Sequence, residues 1–571
     1  MNYPNIEDPN FYERINEIYK PYKTPKKRKS FEEICFPKEF NLQLPQLFVS
    51  NFINPQTPYK GLLVYHSIGS GKTITAIQVA EKWKNYKNII VLVPASLKGN
   101  FRGELRSQAT GNEYINEEER KKISKLHPTD KEYINIIKKS DERIDKYYKI
   151  YSYNKFIELV ENDKINLKNT LLIIDEIQNM VSEGGNYYNV LYEKIKTAPS
   201  DLRIILLSAT PMFDKPHEIG LTMNLLRIPN EMPIGREFNR TFIQITKTNT
   251  GSNNYKMKNI KYFKELIKGY VSYFRGAPPY VFPKMTIKYI KCEMSDFQYK
   301  AYTEVIKNEV NNDDTTTNKE ELSVGDLPNN FFIGTRMVSN IVFPNKKINE
   351  EGFESFKGKH ITEKLDKYSI KFSKIISKIN KAQKIFIYSS FKKYGGIKSM
   401  VRVLEEIGYK NYSKYGEGAK RFAIWSGDEN TKKKDEIKAI FNKKENLNGS
   451  KIKIILGSPS IKEGVSFTGV RQVHVLEPYW NLSRMAQVVG RASRFCSHKD
   501  LPEEKRDVKV YIYVATYKDV KTVDQYINHL SKQKNKLIKE FDNAIKEAAI
   551  DCELNKFANV YDANDIINCD I

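Results

Sequence analysis

Gly69-Ser70-Gly71-Lys72-Thr73 is the run whose residue types and spacing most directly imply chemistry. Two glycines let a backbone curl until several amide N–H groups face one oxyanion. The lysine that follows reaches the β- and γ-phosphates of a nucleoside triphosphate, and the threonine hydroxyl holds Mg²⁺. The run follows the apolar stretch Gly61–His66 and opens the helical pattern Ile74–Trp83. Strand, loop and helix N-terminus in that order make a phosphate cradle, because the helix end adds partial positive charge. The full pattern asks for a glycine where His66 stands. A plain glycine-rich turn is the other use of such a run, and the flanking strand and helix disfavour it.

A second constellation answers the first. Leu171-Leu172-Ile173-Ile174-Asp175-Glu176 ends a buried-strand pattern in two carboxylates. Asp175 is expected to bind Mg²⁺ through its water shell, and Glu176 to orient or deprotonate an attacking water. The same pair would also serve as the acidic first turn of a helix. Ser208-Ala209-Thr210-Pro211 follows the next strand pattern, where small hydroxyls can sense the γ-phosphate. Far downstream, Gln487-Val488-Val489-Gly490-Arg491-Ala492-Ser493-Arg494 has the form QxxGRxxR. Arg491 and Arg494, three apart, are expected on one helical face. Phosphoryl transfer needs positive charge at the γ-phosphate in the transition state, which such arginines supply. The expected catalytic set is Lys72, Asp175, Glu176, Gln487, Arg491 and Arg494. The expected ligands of ATP and Mg²⁺ are Gly69, Ser70, Gly71, Lys72 and Thr73, with Thr73 and Asp175 on the metal.

These residues need rigid elements to hold them. Short β-branched runs recur at Gly61–His66, Asn88–Val93, Tyr148–Tyr151, Thr170–Ile174 and Arg203–Leu207. A second set comprises Lys384–Ser389, Arg421–Trp425, Lys451–Leu456, Gln472–Leu476 and Val508–Val514. Apolar runs spaced by helices indicate buried parallel strands, so the fold class is α/β with two tandem P-loop-type lobes. The expected plan is an extension at 1–38, a first lobe at 39–228 and a connecting region at 229–365. A second lobe at 366–516 and a C-terminal helical segment at 517–571 complete it. Ser107–Lys146 reads as a charged helical insertion, Gly276–Pro283 as an extended connection, Asn311–Lys319 as an exposed loop and Val523–Ala549 as a long helix.

Bulk properties bound the rest. The 571 residues carry 94 Lys and Arg against 69 Asp and Glu, a net charge of +25 that favours a polyanionic partner. Abundant Lys, Asn, Ile and Tyr from an AT-rich coding sequence would produce the same excess. Cys35, Cys292, Cys496, Cys552 and Cys569 are scattered without a CxxC pair. That spacing suggests neither a disulfide framework nor a zinc site, and so a reducing compartment. No apolar run approaches a membrane span and the N-terminus is unlike a signal peptide, so a soluble protein is expected.

Over about Asn41 to Asp551 the chain resembles the superfamily-two helicases and translocases. Gln46, the GSGKT loop, LVPASL at Leu92–Leu97, YSY at Tyr151–Tyr153 and DEIQ at Asp175–Gln178 come in that family's order. SATP at Ser208–Pro211, IYSS at Ile387–Ser390, EGVSF at Glu463–Phe467 and the arginine motif continue it. GYVSYFRG at Gly269–Gly276, VHVLEPYWNLSRMAQVVGRASRFCSHKDLP at Val473–Pro502 and EAAIDC at Glu547–Cys552 are similar to helicases of large cytoplasmic DNA viruses. The poxvirus early transcription factor small subunit and nucleoside triphosphate phosphohydrolase I are of this type, and yeast cytoplasmic linear plasmids carry relatives.

The resemblance implies RecA-like lobes, with Gln46 at adenine and Gln487 near the γ-phosphate. Segments containing Ser96, Ser152, Ser389 and Ser466 would bind a nucleic-acid backbone, where hydroxyls and amides suit phosphate without reading sequence. Many family members have His where Gln178 stands. Tyr151, Tyr153, Phe391 and Trp480 are placed either to stack on bases or in the core. The implied activity is a DNA-dependent ATPase motor in viral early transcription, in the host cytoplasm or virion. A second transcription-factor subunit and RNA polymerase would be its partners. A DNA-binding subunit whose ATPase serves only as a switch is the alternative, and a P-loop kinase is disfavoured by the second lobe.

Overall fold

The structure is a computed structural model describing residues 2–126, 130–182, 184–247, 253–311, 332–379, 383–462, 465–561 and 567–569. The chain divides into two compact units. The first comprises Met1–Pro279 and Lys536–Ile571, the second Tyr280–Asn535. The division falls inside the proline-rich stretch Gly276–Pro283. The loop read at Asn311–Lys319 lies, after Asn311, outside the described residues, as do Glu463 and Gly464.

The first unit is built on six parallel strands. They are β1 (Gly61–His66), β2 (Asn88–Val93), β3 (Tyr148–Ser152), β4 (Thr170–Asp175), β5 (Arg203–Ser208) and β8 (Val271–Phe274), ordered β3-β2-β4-β5-β1-β8. Between β5 and β8 the chain forms an antiparallel hairpin of β6 (Ile243–Lys247) and β7 (Asn253–Met257). Every residue of β1 and of β4 is buried, as continuous apolar runs demand. Alternate side chains enter different cores. Leu62, Val64, Leu171, Ile173 and Leu207 pack with the helices Leu44–Phe52 and Lys72–Trp83. Leu63, Tyr65, Leu172, Ile174 and Leu206 pack with the helices Tyr153–Glu161 and Asn186–Lys196. Each fully buried Leu or Val contributes about 1.5–3 kcal/mol.

The C-terminus belongs to this unit too. Phe541, Ala544, Ile545 and Ala548 lie in the core with Phe238 and Phe263. The Ile550 amide then donates to the Val271 carbonyl at 2.9 Å. Cys552 and Cys569 are joined by a disulfide, their Cα atoms 5.6 Å apart. That corrects the expectation drawn from scattered cysteines: the pair lies only 17 residues apart in a tail that folds back on itself. Cys292 is a buried thiol, its pKa pushed up to about 11 by burial.

The second unit holds seven parallel strands. They are β9 (Lys284–Glu293), β10 (Lys384–Tyr388), β11 (Lys410–Asn411), β12 (Arg421–Trp425), β13 (Ile454–Gly457), β14 (Val470–Val475) and β15 (Asp507–Thr516). Their order is β11-β12-β13-β10-β14-β15-β9. Phe386, Ile455, Val473 and Val510 face one core, and Ile385, Ile387, Ile454 and Tyr513 the other. Both units are thus RecA-like α/β lobes. The helix Val523–Glu547 begins in the second unit and ends in the first. No helix among the described residues is long and apolar enough to cross a membrane.

Candidate nucleotide and nucleic-acid sites

The phosphate loop folds as its glycines require. Gly69 and Gly71 sit at φ +82° and +74°, backbone that side-chain-bearing residues rarely adopt. Gly71 caps the helix Lys72–Trp83, so that helix's first amides point into the loop. A methyl on Gly71 would lie 2.5 Å from Gln46 Nε2, and a methyl on Gly276 would lie 3.2 Å from Ser70 Cβ. Gln46 lies against the loop backbone. Its Nε2 donates to the carbonyls of Ser70 (3.4 Å) and Gly71 (3.2 Å), and its Oε1 accepts from the Gln43 amide. It therefore holds the floor of the cradle.

Beside the loop the polar groups form a chain. Lys72 Nζ pairs with Glu176 Oε1 at 3.0 Å. Gln178 Nε2 donates to Glu176 Oε2 at 2.6 Å, and Ser208 Oγ donates to Gln178 Oε1 at 2.7 Å. The Thr210 amide donates to Ser208 Oγ at 3.0 Å. Sheet order explains the meeting. β4, β5 and β1 are adjacent, so the three motifs at their C-terminal ends span about 10 Å at ~4.8 Å per strand. Thr73 stands half-exposed at the start of its helix.

Glu176 adopts φ +54°, a left-handed conformation costly for a residue with a side chain. Two contacts hold it there. Asp175 Oδ1 accepts from the Glu176 amide at 3.0 Å. Tyr153 Oη donates to the carbonyls of Asp175 and Glu176, the latter at 3.1 Å. Tyr153 is thus core, and its hydroxyl ties the start of the helix Tyr153–Glu161 to the acidic turn. Ser152 caps that helix by accepting from the Lys155 amide at 3.4 Å. Trp480 is likewise buried. The YSY motif marks Tyr153 but not its role, since the turn it clamps lies 22 residues away in sequence.

His66 is fully buried beneath the loop. Its Nε2 lies 3.0 Å from Ser272 Oγ, which donates to Asp551 Oδ2 at 2.6 Å. The Tyr273 amide and Asn555 Nδ2 complete the carboxylate's partners, both at 2.9 Å. Burial, with Lys72 nearby, lowers the His66 pKa to about 3. Burial raises that of Asp551 to about 7 against the pull of its donors. A glycine at position 66 would remove the contact with Ser272. Asp551 falls in EAAIDC, so the sequence marked the segment without its purpose.

In the second unit the helix Leu482–Val489 starts at Asn481, whose side chain accepts from the Arg484 amide. It ends before either arginine. The chain then runs in turns, and the Arg491 carbonyl accepts from the Phe467 amide at 2.9 Å. The shared helical face expected for Arg491 and Arg494 is therefore absent: the strand-end loop at Phe467 holds the backbone out of helix. Arg491 is buried, with Nη1 donating to the Val465 carbonyl at 3.4 Å, while Arg494 and Gln487 are partly exposed. The backbone segments behave differently from one another. Ser96 is exposed at the turn after β2, and Ser466 is half-buried, its carbonyl held by Asn442. The Ser389 hydroxyl is fully buried and donates to Glu477 at 3.1 Å.

Comparison with known proteins agrees with this layout. A family model described as the res subunit of type III restriction enzymes matches residues 29–213, and the helicase conserved C-terminal domain matches residues 360–496. A protein of Acanthamoeba polyphaga mimivirus, provisionally named an ATP-dependent RNA helicase, is 52% identical over 573 residues, covering 100% of this chain and 99% of its own. A second protein of that virus with the same provisional description is 28% identical, covering 96% and 78%. A protein of African swine fever virus named a termination factor homolog is 26% identical, covering 87% and 77%.

Proposed function

The chain belongs to the superfamily-two helicases of large DNA viruses, ATP-dependent nucleic-acid motors, and from that premise we propose that it hydrolyses ATP to move along DNA during viral transcription. The observation that carries the chemistry is the chain Lys72–Glu176–Gln178–Ser208 across three adjacent strand ends. It joins a phosphate-binding lysine to a water-orienting carboxylate and a γ-phosphate sensor.

The residues fit ATP with Mg²⁺. Positive-φ glycines open the loop amides to phosphate, and Asp175 with Thr73 offers the oxygen ligands that Mg²⁺ prefers. When bound, Mg²⁺ neutralises charge on the β- and γ-phosphate oxygens. Lys72 exchanges Glu176 for phosphate, and the freed Glu176 orients the attacking water through Oε1 while Gln178 holds Oε2. Arg491, Arg494 and Gln487 supply the positive charge and the donor that phosphoryl transfer requires. Tyr153 carries the state of the acidic turn to the segment around Ser152, which with Ser96 and Ser466 follows the nucleic-acid backbone. The relative named a termination factor favours transcript release or polymerase remodelling as the step served.

The test is the ATPase rate of the full chain alone, then with single-stranded DNA, duplex DNA or RNA. DNA should stimulate by about tenfold or more, and half-saturation should rise steeply between about 50 and 200 mM salt. Stimulation by RNA alone would overturn the DNA substrate; none by any nucleic acid would leave only the switch alternative.

A further inference from the structure

Arg336 lies on the helix Ile333–Asn340 with only 3% of its surface exposed. Its Nε and Nη2 are buried and reach no acceptor. Among the described residues it is joined to no carboxylate. Its guanidinium carbon lies instead 5.2 Å from the Phe391 ring centroid and 5.6 Å from that of Tyr479. Arg484 shares the Tyr479 ring at 4.3 Å and donates through Nη1 to its hydroxyl at 2.7 Å, while its Nε is also buried without an acceptor. The indole N–H of Trp480 is in the same condition. Buried donors outnumber acceptors here, the Tyr388 hydroxyl beside Arg484 being the one buried oxygen left open among these described groups.

The buried acid of the region does not balance them. Glu477 accepts from Asn340 Nδ2 at 2.8 Å, from Ser389 Oγ at 3.1 Å and from the Ser390 amide. A buried guanidinium without a counter-ion is among the costliest placements a chain can make. Ring faces offset part of that cost only. Such an arrangement persists where a ligand completes it.

Position and surroundings say which ligand. Phe391 follows β10 and Tyr479 follows β14, neighbouring strands, so the cluster stands at their C-terminal ends, the edge where open parallel sheets bind. The loop is fixed there, since Asn340 Nδ2 donates to the Gly395 carbonyl at 2.9 Å and Gly395 packs against Met337. Exposed Lys393 continues the positive charge outward from Phe391. Guanidinium forks match phosphate in two-point geometry, and rings interleaved with cations suit a strand of nucleic acid. We propose that Arg336, supported by Arg484, clamps a backbone phosphodiester of the bound nucleic-acid strand. This rests on the reading of the chain as a nucleic-acid motor.

The test uses the full chain and fluorescein-labelled DNA and RNA oligonucleotides, titrated from about 50 to about 200 mM salt, beside a fluorescent ATP analogue. Arg336→Met and Arg336→Gln should weaken binding of the preferred strand about 5- to 20-fold and flatten the log–log salt slope by ~0.7–0.9, one phosphate's worth. Arg336→Lys should recover part of the slope, and Arg484→Gln should show a smaller loss. ATP-analogue affinity should not move, and the melting temperature of the free protein should be no lower. Wild-type affinity and slope in both Arg336 variants would overturn the clamp, as would loss of ATP-analogue binding alone. A lowered melting temperature with wild-type binding by the folded fraction would make Arg336 structural. Wild-type protein that binds neither oligonucleotide in a salt-dependent way would sink the motor reading and the clamp together.

Discussion

The two lobes repeat one parallel-sheet design, yet their ligand-binding edges are stocked in opposite ways. In the first, the charged groups satisfy each other. Lys72 is neutralised by Glu176, Glu176 is held by Gln178, and Gln178 by Ser208. In the second, Arg336 and Arg484 keep buried N–H groups with nothing to accept them. Ser70 Oγ and Thr210 Oγ1 are buried without partners at the first edge, but its lysine is already paired, so an incoming triphosphate must compete for it. An edge with open donors is costly when empty, and an incoming phosphate completes it. One lobe is therefore latched and the other primed.

The latch is broken most sharply by Glu176→Gln. The substitution removes the charge that holds Lys72 and the group that orients water, so binding and turnover should separate. Turnover should fall about 10²- to 10⁴-fold, the range of a lost general base. ATP affinity should stay or rise, because Lys72 no longer has an anionic rival. Pre-steady-state hydrolysis and equilibrium nucleotide binding read the two quantities. Weaker ATP binding would mean that the pair organises the loop instead of latching it.

A finer cut leaves the acidic pair in place and loosens what holds it. Tyr153→Phe deletes the hydroxyl that donates to the Asp175 and Glu176 carbonyls, and keeps the ring in the core. The left-handed turn at Glu176 then loses a tie to the segment around Ser152. Nucleic-acid stimulation should drop about 3- to 10-fold, consistent with a hydrogen bond of ~1 kcal/mol. Oligonucleotide affinity should hold. A ring that stacked on bases would give the reverse: near-normal stimulation by the phenylalanine variant, and loss of binding on Tyr153→Ala.

What was legible beforehand follows the same divide. Interior strands announce themselves, because apolar runs such as Gly61–His66 and Arg421–Trp425 are continuous and bounded by loops; both boundaries match the structure. Val271–Phe274 and Lys284–Glu293 were not read as strands. Each lies at a sheet edge, and β9, with Lys284, Lys288 and Lys291 among its residues, is exposed along most of its length. Pairing of β9 with β15, more than 200 residues on, leaves no local trace. Site residues within a motif were legible for the same reason. Tyr153 and Asp551 fall in motifs but act on partners distant in sequence, so the fold alone reveals their roles, and Arg336 lies in no motif at all. Arg491 and Arg494 show the opposite failure: a three-residue spacing predicts a shared face only where the helix continues.

The last contrast is in how acid treats the two lobes. In the second, His474 is held neutral by burial at a pKa of about 3, and His498 at about 4. Unfolded histidine titrates near 6.5. Below that the unfolded chain binds protons that the fold refuses, so stability falls as pH falls. Among the described residues of the first lobe, burial lowers His66 to about 3, while two buried carboxyls, Glu218 and Asp551, are raised by burial to about 7. Those carboxyls are protonated in the fold before they are in the unfolded chain, so between pH ~7 and ~4.5 they add stability as pH falls. Acidification from pH 6.5 to 4.5 should therefore strip amide-exchange protection from β10 and β14 while sparing β1 and β5. His474→Gln, which keeps a neutral hydrogen-bonding group beside Tyr513 and Gln472, should remove about half of that loss by relieving one of the two buried imidazoles. Equal loss of protection in both sheets would mean that the carboxyls of the first lobe do not carry their raised pKa values, and that the Asp551 relay beneath the phosphate loop is charged at every working pH.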